Sequence, residues 1–187
     1  MIEGDTLPTL DAPRVRLRWL AAGDVDALFG IFSDEAMMRY WSTPAMKDRA
    51  EAEALLLKIH KGFVEKTAFQ WGVERKEDGR LLGTCTLFQL HAANQRAEIG
   101  YALASAWWKK GYMTEALTAL LDYAFGPMKL RRLEADVDPR NENSMRIVGK
   151  LGFRQEGLLR ERWNVAGDIQ DSAVLGLLAR EWQARRA

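Results

Sequence analysis

Lys109, Lys110 and Gly111 stand directly before a run in which Met113, Ala116, Leu117, Leu120, Leu121 and Ala124 recur at three- and four-residue steps. That spacing predicts a helix with one buried stripe, starting near Tyr112. The first N–H groups of such a helix have no intrahelical partner. Gly111 lets a ligand lie against bare backbone, and the two lysines add charge to the positive end of the helix dipole. Residues 109–114 are therefore a candidate anion site, suited to phosphate. A glycine that only permits a turn, beside solvated lysines, is the plainer alternative. Neither a Walker loop nor a GxGxxG fingerprint is present.

Carboxylates supply a second kind of chemistry. Glu98 lies between Ala97 and Ile99 in a strand-like run. Partial burial there would raise its pKa toward the range of a general base; an exposed strand-face carboxylate is the alternative. Glu134, Asp136 and Asp138 share one face of a strand by alternation, and Glu134 and Asp138 read as a solvated face. Asn141 precedes Ser144 by three residues, a helix-capping pattern. The single cysteine, Cys85, has no histidine near it in sequence and reads as a small core residue, not a nucleophile. Two histidines and one cysteine are too few for a protein-built zinc site, so no metal is expected.

These residues need elements to hold them. RVRLRWL, residues 14–20, alternates as a strand with Val15, Leu17 and Trp19 on one face. Asp24 opens a helix carrying Val25, Leu28, Phe29 and Phe32, and a second helix is expected from about Met46 to His60. AFQWGVER and LLGTCTLFQL form a hairpin around Asp78-Gly79. Ala97–Ala104 is another strand. The helix from Tyr112 stops at Gly126-Pro127. RRLEADVD is a strand, and NENSMRIVGKL is a short helix closed by Gly152. FRQEGLLRERW and DSAVLGLLAR are two strands around Ala166-Gly167-Asp168. Strands and helices alternate without a linker, which predicts one α/β domain over residues 1–187, with 1–13 an irregular N-terminal segment.

Bulk properties exclude several classes. The formal charge is +1 and no aromatic-basic motif occurs, which argues against nucleic acid despite Arg131-Arg132 and the basic tail. No apolar run approaches the roughly 18 residues of a membrane span, and no signal core is present. One cysteine permits no internal disulfide, which suits a reducing cytoplasm.

Three segments, in order and spacing, resemble the GNAT acetyltransferases: RVRLRWLAAGDVDALFGIFSD, AEIGYALASAWWKKGYMTEAL and NENSMRIVGKLGFRQEGLLRERW. The likeness is to the branch of the ribosomal-protein N-terminal acetyltransferases (RimJ/RimL-like) and covers nearly the whole chain. It implies a mixed, mostly antiparallel sheet of about seven strands, two of them splayed apart, with four helices on its faces. It implies acetyl-CoA as co-substrate and a primary amine as acceptor, either a protein N-terminus or a small molecule. In that family a loop of pattern Q/R-x-x-G-x-G/A wraps the pyrophosphate. Here the loop reads Trp108-Lys109-Lys110-Gly111-Tyr112-Met113, followed by Thr114. It keeps the central glycine, with Trp108 and Met113 as departures and Lys109 where glycine is frequent.

The same resemblance places Tyr101, Ala102 and Leu103 as backbone partners of the pantetheine amides. It sets Asn141 at the cofactor and Ser144 near its sulfur. Glu98 is the first candidate base and Asp136 the second. The tyrosine that protonates the leaving thiolate in many relatives falls at Val148, so Ser144 is its expected substitute. Trp41 would line the acceptor cleft or pack in the core; residues 37–44 and 163–171 would choose the acceptor. The C-terminal strand edge offers a surface for a homodimer. A sensor that binds acyl-CoA without turnover is the second functional reading, left open by the missing tyrosine and the altered loop.

Overall fold

A computed structural model describes residues 4–186. Among them the chain forms one eight-stranded sheet and six α-helices. The strands are β1 (Leu10–Asp11), β2 (Val15–Arg18), β3 (Ala68–Arg75), β4 (Leu81–His91), β5 (Arg96–Leu103), β6 (Arg132–Val137), β7 (Arg154–Val165) and β8 (Asp168–Leu178). The helices are α1 (Val25–Phe32), α2 (Glu35–Met38), α3 (Arg49–Val64), α4 (Tyr112–Phe125), α5 (Glu142–Leu151) and α6 (Ala179–Arg186). The spatial order is β1-β2-β3-β4-β5-β6-β8-β7. Every neighbouring pair is antiparallel except β5 and β6.

The count corrects the expected seven strands and four helices. β1, α2 and α6 are the additions. The N-terminal segment is packed where irregular chain was expected: Leu7 is buried, β1 pairs with β2, and the carbonyl of Pro8 accepts the indole N–H of Trp71 at 2.9 Å. Helix α3 begins at Arg49, later than expected, because Asp48 caps it by accepting from the N–H of Glu51. Asp24 does not cap α1; its carboxylate turns to the guanidinium of Arg18 at 2.8 Å.

Two apolar clusters sandwich the sheet. One gathers α4, α5 and Trp182 of α6 against strand residues such as Trp71, Leu87, Ile99 and Leu133. The other packs α1, α2 and α3 with Leu20 and Ala102. Along β5, Ala97, Ile99 and Leu103 belong to the first cluster and Ala102 to the second, as alternation requires. The stripe of α4 is buried throughout, and each fully buried leucine there contributes roughly 1.5–3 kcal/mol. That anchors the start of α4 firmly.

The parallel pair β5–β6 sets the site. Its register holds only at Arg96↔Arg132, Ala97↔Leu133 and Glu98↔Glu134. Beyond Glu98 the two strands part, while β5 stays paired with β4 up to Leu103 and β6 with β8 up to Val137. The inner edges of residues 99–103 and 135–137 therefore face a gap in the sheet.

Candidate active site

The gap opens into a cleft of about 1410 Å³. That exceeds the 300–1,000 Å³ usual for one small ligand. At one end lies the loop before α4. Lys109 and Gly111 both hold left-handed backbone, with φ of 60° and 85°. Among the described residues no side chain caps α4, so its first N–H groups remain free for a ligand.

Arg14 braces this loop. Its guanidinium donates to the carbonyl of Lys110 at 2.9 Å and pairs with Glu115 at 2.5 Å, and its backbone N–H donates to the same carboxylate. A Cβ on Gly111 would lie 3.1 Å from that guanidinium. The Lys110 ammonium is engaged as well, donating to the carbonyl of Ala106 at 3.1 Å and lying over the Trp107 ring. Lys109 is exposed and lines the cleft. Trp108 donates its indole N–H to the carbonyl of Leu103 at 2.6 Å. Met113 turns inward, 3.6 Å from the sulfur of Cys85. Cys85 is buried, which pushes its thiol pKa up.

Three carboxylates meet where the strands part. Glu98 and Glu134 are register partners, and Asp136 follows Glu134 on the same face. Arg96 and Arg132 hold Glu134 at 2.7 and 2.9 Å. Asp136 accepts the hydroxyl of Ser172 and pairs with Arg162 at 3.2 Å. Glu98 pairs with no cation among the described residues; the amide of Gln89 donates to it at 3.1 Å. Burial, with the charges of Asp136 and Glu134 behind it, raises the Glu98 pKa to about 7, against the pull of Arg162 and Arg96. Asp138 overturns the solvated-face reading. It is buried and chelated by Arg140, which also reaches Asp168 at the β7–β8 turn.

Asn141 caps α5 by accepting the N–H of Ser144 at 3.1 Å. The Ser144 hydroxyl shares a hydrogen bond of 2.5 Å with that of Tyr101. Val148 is fully buried. Glu98, Asp136, Tyr101, Ala102, Leu103, Lys109, Gly111, Met113, Thr114, Asn141 and Ser144 all line the cleft. Two nominated residues lie apart from it: Lys110, bound as described, and Tyr112, whose buried ring packs 4.7 Å under Arg14. At the far end Trp41 packs edge-on against Phe32, and Trp163 is partly exposed on the opposite wall. The bracing by Arg14 and the Tyr101–Ser144 pair escape a sequence reading, because partners far apart in sequence leave no local signal.

A strand pair that opens beside an uncapped helix start, with a carboxylate at the fork that no cation pairs among the described residues, is suited to an extended anionic ligand. The family model described as "Acetyltransferase (GNAT) domain" matches residues 14–154. An N-acetyltransferase of Bacillus licheniformis, p20, is 34% identical over 176 residues, covering 94% of this chain and 99% of that one. Spermidine N(1)-acetyltransferase of Escherichia coli is 27% identical, covering 92% of this chain and 90% of that one. The structure of Mycobacterium smegmatis RimJ in complex with CoA-disulfide superposes with a TM-score of 0.83 at 27% identity, covering 94% and 88% of the two chains. The chain belongs to the GNAT acetyltransferases. It is an N-acetyltransferase that uses acetyl-CoA. Among the described residues no helix is long and apolar enough to cross a membrane.

Proposed function

We propose that the chain moves the acetyl group of acetyl-CoA directly to a primary amine, a protein N-terminus or a small-molecule amine, while both substrates occupy the cleft. The observation that carries this reading is the placement of Glu98 at the fork of β5 and β6, in the cleft that Ser144 also lines. Acetyl-CoA supplies an activated acyl group. The backbone of Lys109–Thr114 and the free Lys109 ammonium would hold its pyrophosphate. The open edge at Tyr101–Leu103 would take the pantetheine amides, with the Leu103 carbonyl already serving Trp108. Asn141 stands at the same wall.

Glu98 is the base. An amine is an ammonium near neutral pH and must lose a proton before it attacks. A carboxylate that titrates at about 7 is both ionised often enough and basic enough for that task. Asp136, with its oxygens given to Ser172 and Arg162, acts as the charge that keeps Glu98 basic. Ser144 offers a hydroxyl to the departing sulfur. Proximity of the two bound substrates supplies much of the rate. Cys85, sealed in the core, takes no part as an acyl carrier.

The acceptor is decided by residues 37–44 and by Trp163 and Asp171, which line the far end of the cleft. A thiol-release assay with acetyl-CoA against a panel of amines, including peptides with free N-termini, tests the proposal. Release with one acceptor class supports it; binding of acetyl-CoA with no release for any amine overturns it.

A further inference from the structure

We infer that Tyr101 is a positioning residue for thiol departure, its hydroxyl donating to Ser144 Oγ and so turning the serine proton into the cleft. This rests on the proposed role of Ser144 at the sulfur. A serine hydroxyl has one proton and two acceptor sites. In the first turn of a helix that proton is commonly lost to a backbone carbonyl. Ser144 Oγ makes no such bond among the described residues; its partner is the Tyr101 hydroxyl at 2.5 Å. The alternative acceptor for Tyr101, the carbonyl of Ser144, is longer at 3.4 Å.

The main chain of the serine is held in place. Its N–H is tied to Asn141 Oδ1, and Asn141 is the cap of α5. The tyrosine is equally fixed, because it stands on β5 between Ile99 and Leu103 with its ring against the first cluster. Burial raises its pKa to about 12, so it stays protonated and remains a donor at neutral pH. A phenol is also the stronger acid of the two hydroxyls, which sets the direction of the bond. Donation into Ser144 Oγ polarises the serine O–H outward.

The step balances without a proton leaving Tyr101. As the carbon–nitrogen bond forms and the carbon–sulfur bond breaks, the electron pair remains on sulfur and meets the Ser144 O–H. Glu98 takes one proton from the ammonium before attack and, once that has passed to solvent, a second from the nitrogen as the amide forms.

The test uses the full chain with acetyl-CoA and hydroxylamine, a small nucleophile that needs no acceptor recognition, followed by release of thiol. Tyr101→Phe should lower kcat about tenfold, with the KM for acetyl-CoA changed less than about twofold. Ser144→Ala should lower kcat at least as much, and adding Tyr101→Phe to it should cost nothing more, because the two act as one unit. Tyr101→3-fluorotyrosine keeps the shape but ionises earlier, so its activity should fall at a lower alkaline pH than that of the wild type. This variant decides the matter if Tyr101→Phe does not fold. Wild-type turnover in Tyr101→Phe, losses that add in the double variant, or an unmoved alkaline limb in the fluorotyrosine variant each overturn the inference while leaving Ser144 in place. Wild-type turnover in Ser144→Ala overturns the reading beneath it as well.

Discussion

Arg162 lies 3.2 Å from the carboxylate of Asp136, and these two charges act on Glu98 in opposite directions. Asp136 raises the Glu98 pKa and Arg162 lowers it, beneath the larger effect of burial. The pair therefore tunes the pH at which the proposed base becomes available.

The sign follows directly. Activity needs ionised Glu98, so kcat/KM should rise with pH through about 7 and level off above it. Asp136→Asn removes a charge that disfavours ionisation, and the limb should move to lower pH. Arg162→Gln removes one that favours it, and the limb should move to higher pH. Glu98→Gln should abolish the limb and lower kcat by about a hundredfold or more, with acetyl-CoA affinity little changed. Steady-state kinetics from pH 5 to 9 read all three; shifts of the same sign for Asp136→Asn and Arg162→Gln would remove the electrostatic account.

Gly111 has φ of 85° and sits against Arg14. A leucine there meets both a strained backbone, costing about 1–3 kcal/mol, and the guanidinium that braces the loop. Gly111→Leu should raise the acetyl-CoA KM roughly tenfold or more while kcat changes little. Titration calorimetry with acetyl-CoA measures the loss directly.

Lys109 holds φ of 60° with a Cβ attached. Replacing it by glycine relieves that strain and removes an ammonium from the cleft wall. Lys109→Gly should therefore raise the melting temperature, by about 2–4 °C if the relief is about 1 kcal/mol. It should also weaken acetyl-CoA binding and flatten its dependence on salt. Lys109→Ala, which keeps the strain, should lose affinity without gaining stability.

Asp34 joins the two halves of the cleft. One oxygen caps α2 through the N–H groups of Ala36 and Met37, and the other accepts the N–H of Ser105, in the turn leading to the loop before α4. Asp34→Ala should cost about 1–2 kcal/mol in thermal or urea unfolding. Because one carboxylate serves both sides, KM should worsen for acetyl-CoA and acceptor together. A change confined to one substrate would assign Asp34 to that side alone.

Periodic elements were legible in the sequence. The α4 stripe, the β3–β4 hairpin and the strand from Ala97 follow from spacing and turn residues alone. β1 has only two residues, and α2 is a single turn whose cap also serves Ser105. α6 is largely polar, with Trp182 as its buried anchor. Such elements exist through tertiary partners, so no periodic signal announces them. The site divides the same way. Glu98 stood out through its apolar neighbours, whereas the burial of Asp138 depends on Arg140 and on Asp168 from a distant hairpin.

The chain folds with part of its sheet left unfinished. Main-chain groups on the inner edges of residues 99–103 and 135–137 have no strand opposite them, and only the native state holds them in line. A guest that completes those edges binds the folded chain and not the unfolded one. At a hundredfold excess over its dissociation constant it adds about 2.7 kcal/mol to the stability of the whole domain. If acetyl-CoA is that guest, its supply raises the stability of the fold as well as the rate.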